Sequence, residues 1–494
     1  KYTQTADIDC SSVPNFSVIC GASNVFVGSY DGKGFSISNV TISTDVEAND
    51  TSLRAVGLFG IVLNGDLQNI TLKNSTVLGN YALSASIDTN RDGVPDESST
   101  PQNLPSAEQI GDIPVTLTED GEQVQSRVED VTGIAQELTD SNFGLNNVAP
   151  NLSRFPRFAV GSVIGAAVGQ GNYTNIKTIN TNVQGILAGG VVGLTVPAPD
   201  FRELISGIQN VDTVFDGLAL FNGSMTLDGL QSSGNVNGFV AGGVIGAGVS
   251  SLGGLVGLDG ELVIKNSSSA SVVNANIAGG IIGVGFSPST ASFLPITLSS
   301  ANDSTDPRGT PEFNEMVNRV TSRQDIIIQD STVSGEISTC NAPSEVRIGV
   351  LGGIVGAATG TLVKNSSSSA QITTCSSAPD LGLSYGGVMV GISVLMISSR
   401  IEDSNATGKI KATADGTYGQ YDNDSAGYLG SVGGLTGVFI YAGSDADGRY
   451  AIKNSSTSGN IEIQGNYALF SLSGGLAGTF TGSGTIKDSY STRN

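Results

Sequence analysis

Apolar and polar residues alternate along this chain in short runs bounded by glycine. In Phe35-Ser36-Ile37 and in Ile70-Thr71-Leu72 every second side chain is apolar, which is the period of a strand with one face turned inward. A second kind of run is small and aliphatic throughout: Gly189-Gly190-Val191-Val192-Gly193, Gly242-Gly243-Val244-Ile245-Gly246, Gly253-Gly254-Leu255-Val256-Gly257, Gly279-Gly280-Ile281-Ile282-Gly283, Gly352-Gly353-Ile354-Val355-Gly356, Gly386-Gly387-Val388-Met389-Val390-Gly391, Gly433-Gly434-Leu435-Thr436-Gly437 and Gly474-Gly475-Leu476-Ala477-Gly478. A third element, Lys-Asn-Ser, stands between them at Lys73-Asn74, Lys265-Asn266, Lys364-Asn365 and Lys453-Asn454, with Asp403 and Asp488 in the same slot elsewhere. The stretch Leu351 to Thr374 holds the whole unit. Its glycines mark corners, and the unequal spacing between copies means that loops vary while the strand elements persist.

This pattern predicts an all-β fold, a β-solenoid (parallel β-helix-like) repeat array with loop and helix insertions. Residues 1–28 read as an N-terminal cap, and 29–79, 159–196, 226–286 and 326–494 as solenoid repeats. Residues 80–158, 197–225 and 287–325 read as insertions. Helical spacing of Val124, Val128, Val131, Ile134, Ala135 and Leu138 predicts a short amphipathic helix in the first insertion. Phe201, Leu204, Ile205, Ile208 and Phe215 predict another in the second, with Asp200 as N-cap. A third helix is expected over Pro311 to Arg323.

Composition agrees with thin stacked coils: of 494 residues 67 are glycine and only 14% are charged, too few thick apolar faces for helix-packed layers. The formal net charge of −22 argues against nucleic acid, whose phosphates need clustered lysine and arginine. There is no histidine, so histidine triads and histidine-ligated metals are excluded. Four cysteines fall into two natural pairs, Cys10 with Cys20 and Cys340 with Cys375, the usage of an oxidising compartment. The second pair ends equivalent strands of consecutive repeats, and a disulfide between stacked rungs is expected there. The chain opens Lys-Tyr-Thr without a signal peptide and has no long apolar run, which reads as a mature or trimmed secreted product with no membrane span. Asn-x-Ser/Thr recurs at Asn39, Asn69, Asn74, Asn266, Asn365 and Asn454, which are candidate glycosylation sites.

At the Gly-Gly-x-x-Gly cores and the Ile/Val-Lys-Asn/Asp-Ser strands the sequence resembles the glycine-rich GLUG-type repeats of large bacterial and archaeal surface proteins, adhesins and the non-catalytic parts of some immunoglobulin-A-cleaving peptidases. The resemblance covers most of the chain outside the three insertions and implies a β-solenoid on a cell surface or in an extracellular fibre. On physical grounds the asparagines that follow lysine at 74, 266, 365 and 454 would stack at one level as an amide ladder, at a corner where asparagine tolerates left-handed geometry. The alternative is that they carry glycans.

One motif points to a ligand. Asp88, Asn90, Asp92 and Asp96 have the spacing D-x-N-x-D-G-x-x-D, in which alternate oxygens wrap a hard cation, Gly93 permits the turn and the Val94 carbonyl adds a ligand. The loop resembles the calcium loops of thrombospondin type 3 and dockerin-like repeats, and structural calcium is the expected cofactor. Catalysis has little support: the acids lie mostly in insertions and turns, and no nucleophile has a base beside it. The expectation is therefore a non-enzymatic extracellular structural or adhesive surface protein, a stalk or fibre subunit. Its partners are other copies of itself, through end-to-end or strand-donation assembly into filaments, or cell-surface and matrix ligands. The other readings are a carbohydrate-binding or carbohydrate-cleaving β-helix and a non-catalytic stalk of a larger secreted peptidase. The last stretch, from Gly482, ends in a repeat strand with no following cap, which either invites pairing or means that the polypeptide continues.

Overall fold

A computed structural model describes residues 1–20, 25–46, 54–81, 158–197, 224–250, 261–287, 324–340, 349–376, 388–390, 393–397, 399–414, 429–441, 450–465, 470–482 and 484–492. The three expected helices and the Gly253–Gly257 core lie outside these residues. The chain divides into two compact units. The larger comprises Lys1–Asp45, Arg54–Asn80 and Phe158–Asn494, and of the smaller only Val46 and Tyr81 are described.

The described residues are all-β: no helix occurs among them, and their strands form a 33-stranded sheet and a 9-stranded sheet. Strand pairs with the equivalent strand of the next repeat, in parallel. One inward position shows the register: Tyr2 stands opposite Tyr30, and the column continues through Leu67, Tyr173, Leu227, Ile264, Ile328, Val363, Ile401, Ile452 and Ile486. From Leu67 to Ile452 every member is fully buried. At about 1.5–3 kcal/mol for each such aliphatic side chain removed from water, this column is a principal source of cohesion in the larger unit.

Within a repeat the chain runs along the large sheet, bends, and enters the small one. Asn172–Gly189 belongs to the first and Val192–Val196 to the second, with Gly190-Val191 as the bend. Glycine is required there. A Cβ on Gly190 would collide with the carbonyl of Gly243 and the hydroxyl of Ser232, both in the next repeat. The amide of Gly190 meanwhile donates to Gly242 O at 3.2 Å and that of Val191 to Val244 O at 2.9 Å. In the small sheet Phe59, Ile164, Val192, Ile245, Ile282, Val355, Ser393, Thr436 and Ala477 stand in one line.

The register corrects two sequence assignments. Gly352 pairs with Val390, and Val390 with Gly433, so Val390 and not Gly386 holds the slot of the first core glycine; Gly386 itself lies outside the described residues. Alignment across neighbouring strands decides the slot, and the local double glycine misleads. The expected Cys10–Cys20 disulfide is not formed: both are free, Cys10 buried and Cys20 half-buried. Their neighbours explain it. The Cys10 amide donates to Ser38 O on the large-sheet side, whereas the Cys20 carbonyl accepts from Ile61 in the small sheet. Residues 1–28 thus follow the same register as the repeats: Ile8 pairs with Ile37, Ile19 with Phe59 and Phe26 with Val62.

Candidate functional site

The most ordered polar feature is a corner repeated along the larger unit. Two residues after each member of the inward column from Leu67 to Ile486, the backbone turns left-handed, at φ 56 for Asn69, 52 for Asn175, 52 for Asn266, 51 for Asp330, 47 for Asn365, 49 for Asp403, 46 for Asn454 and 50 for Asp488. Asparagine and aspartate tolerate this region best after glycine, and Gly229 fills the slot at φ 70. The side chains join repeat to repeat. The Nδ2 of Asn175 donates to Asn69 Oδ1 at 2.9 Å, that of Asn69 to Asp31 at 3.0 Å, and that of Asn454 to Asp403 at 3.1 Å. Asn365 donates to Asp330. Where Gly229 offers no side chain, Asn266 donates to the preceding Asp228 at 2.8 Å.

From Asn266 onward asparagine and aspartate alternate strictly, so no carboxylate in this column has a carboxylate neighbour. Neutral amides separate the charges and donate to them. The expected ladder therefore exists, with one correction. Asn74 does not stand with Asn266, Asn365 and Asn454; Asn69 does. Asn74 belongs to a second left-handed corner with Asn39 and Asn180, where Asn180 Nδ2 donates to Asn74 at 3.0 Å and Asn39 Nδ2 to Asp9 at 2.8 Å. The same tripeptide serves both corners because both need a left-handed residue, which asparagine tolerates. Later repeats shorten the second corner, the shift falling between Thr178 and Thr181, and Gly234 takes it at φ 130.

Sequence reasoning missed the serine that follows the first corner. Ser267, Ser331, Ser366, Ser404 and Ser455 are buried, and each uses its hydroxyl twice. The Oγ donates to the carbonyl two residues back, as from Ser404 to Glu402 O at 2.7 Å and from Ser455 to Lys453 O at 2.7 Å. It also accepts a backbone amide from the preceding repeat, as from Ser331 N to Ser366 Oγ at 3.2 Å, Ser366 N to Ser404 at 3.1 Å, Ser404 N to Ser455 at 3.2 Å and Ser455 N to Ser489 at 3.1 Å. Backbone groups that the corner turns out of the sheet ladder are thereby satisfied, as buried ones must be. The Ser that follows Asn or Asp in every repeat from Asn266 onward was the available signal.

Several of the remaining charges among the described residues are paired locally. Asp31 is held well below the usual carboxylate range, first by the Lys33 side chain and then by the Asn69 amide, and its carboxylate lies 2.9 Å from Lys33 Nζ. Arg400 bonds Glu402. Lys487 donates to the Tyr450 hydroxyl at 3.1 Å, which raises its pKa, and lies 4.7 Å from the ring centre. Among the described residues no three cysteine, aspartate or glutamate side chains form a group suited to a metal. The expected calcium ligands Asp88, Asn90, Asp92, Val94 and Asp96 lie outside those residues. Cys340 is disulfide-bonded. The pairing of Glu336 with Gln371 and Ser338 with Thr373 continues to place Cys375 opposite it. The sequon asparagines Asn39, Asn69, Asn266, Asn365 and Asn454 all donate through Nδ2, the atom a glycan would occupy, while Asn74 accepts from Asn180. No protein family model, curated protein or solved structure matches the chain.

Proposed function

We propose that the repeats wind as a β-solenoid of the GLUG type and that the protein is a non-enzymatic extracellular structural component, a stalk or fibre subunit. The observation that carries this reading is the use made of the polar side chains. Along the corner columns asparagine, aspartate and serine bond to the neighbouring repeat, which commits them to stacking. A scaffold built this way offers regular, non-aggregating surface at low charge density. Calcium, bound by Asp88, Asn90, Asp92, Asp96 and the Val94 carbonyl, is proposed to order the first insertion. Immunogold labelling of intact source cells tests the function: label on the surface or on extracellular fibres is expected, and label confined to the cell interior contradicts it. Chelation is expected to raise protease cleavage within 80–158; unchanged cleavage refutes the calcium proposal.

A further inference from the structure

The nine strands of the small sheet carry no charged residue. Their glycines show which side faces in: Gly193 lies against the backbone of Ala159 and Val160, Gly246 against Ala188, Gly283 against Ala241 and Gly356 against Ala278, all in the large sheet. The side chain one residue further on points the other way. Ile61, Ala166, Leu194, Ala247, Val284 and Ala357 therefore form a line across the outer side. Parallel strands that read as unbroken apolar runs belong to a sheet covered on both sides.

Burial along that line locates the cover. Leu194 stands between two alanines, Ala166 and Ala247, too short to shield it, yet it is only 4% exposed. Val284 also stands between two alanines, Ala247 and Ala357, and is half-buried. What covers Leu194 is thus local to its own strand. That strand, Val192–Val196, opens into residues 198–223, outside the described residues, before the chain returns at Met225–Asp228. Elsewhere the same connection is short: Asn64-Gly65 joins Phe59–Leu63 to Asp66–Lys73, and Gly360 alone joins Val355–Thr359 to Thr361–Lys364. Within 198–223, Phe201, Leu204, Ile205, Ile208 and Phe215 recur at helical spacing, with Glu203, Ser206 and Asn210 on the opposite side. A helix over 201–215 would extend about 22 Å, or between four and five strand spacings of about 4.8 Å. Residues 216–223, extended, reach back about 26 Å.

We infer that residues 198–223 dock as an amphipathic helix on the outer side of the small sheet, setting Phe201, Leu204, Ile205 and Ile208 against Ala166, Leu194 and Ala247. The uncharged sheet is there an inner layer. What these repeats offer a partner is the polar side of the helix, with Glu203, Ser206 and Asn210, and not the sheet.

The test uses the full 494-residue chain. A photoreactive p-benzoylphenylalanine replaces Val196, half-buried on the same outer side, and the irradiated protein is mapped by mass spectrometry. Adducts within one chain to peptides of 201–215 are expected; adducts elsewhere in the chain, adducts between copies, or none at all overturn the inference. A second measurement reads the cover at Leu194 itself. Maleimide should modify Leu194→Cys at least about tenfold more slowly than the half-buried Ala357→Cys, each site being followed by peptide mapping. Adding Leu204→Asp/Ile208→Asp should abolish that difference while Ala357→Cys keeps its rate, which shows the sheet still folded. Equal rates without the aspartates, or protection that survives them, overturn the inference. Both readouts are independent of the stalk reading.

Discussion

At the scale of single residues, stability resides in the corner columns. Asn365→Asp would set a third carboxylate between Asp330 and Asp403 and remove the donor that bonds Asp330. At this exposed corner the expected loss is about 1 kcal/mol at pH 7, and thermal melts check it. Ser404→Ala should cost more, about 1–3 kcal/mol, because it orphans the buried Ser366 amide and the Glu402 carbonyl, and urea titration measures this. Asp31 gives the acid limit. Its pKa is depressed from 3.8 in the native state, so its contribution is present above pH 3.8 and is lost as pH falls through the native value. Asp31→Asn should therefore lower the melting temperature at pH 6 and converge on wild type toward pH 2. The recurrence of serine was legible in the sequence, but its part was not, because a hydroxyl that completes a backbone ladder looks like any other polar loop residue.

At the scale of the element, the double-glycine bend and the alternating strands were legible because their cause is local: period, size and turn geometry. Register was not, because it is set across repeats. Asn74 and Asn266 carry the same tripeptide at different corners, and Val390 occupies a slot that glycine holds at 352 and 433. Cys10 and Cys20 are close in sequence yet bond to residues of different sheets, Ser38 and Ile61. The bend itself predicts a large effect. Gly190→Ala drives a methyl group onto the Gly243 carbonyl of the next repeat, a backbone group that cannot move aside. A loss of at least about 3 kcal/mol is expected, with amide exchange accelerated first in Val192–Val196 and Ile245–Val249; uniform exchange along the chain would refute this local account.

At the scale of the whole molecule, one repeat makes one rung, and in the larger unit the rungs stack in order. The −22 charge opposes close approach of like-charged copies and says nothing of the winding. Sequence could supply the repeat unit, while the lengths between rungs, such as 35 residues from Ser331 to Ser366 and 51 from Ser404 to Ser455, had to be read from the pairing. Intrachain cross-linking of outward positions tests the claim most directly. Ser367 pairs with Asn405 and Asn405 with Ser456, so adjacent rungs lie within the reach of a disulfide and alternate rungs, about 9.6 Å apart, do not. Under mild oxidation, read by peptide mapping, the Ser367→Cys/Asn405→Cys chain should cross-link and the Ser367→Cys/Ser456→Cys chain should not; equal cross-linking of both, or preference for the second, would contradict the account.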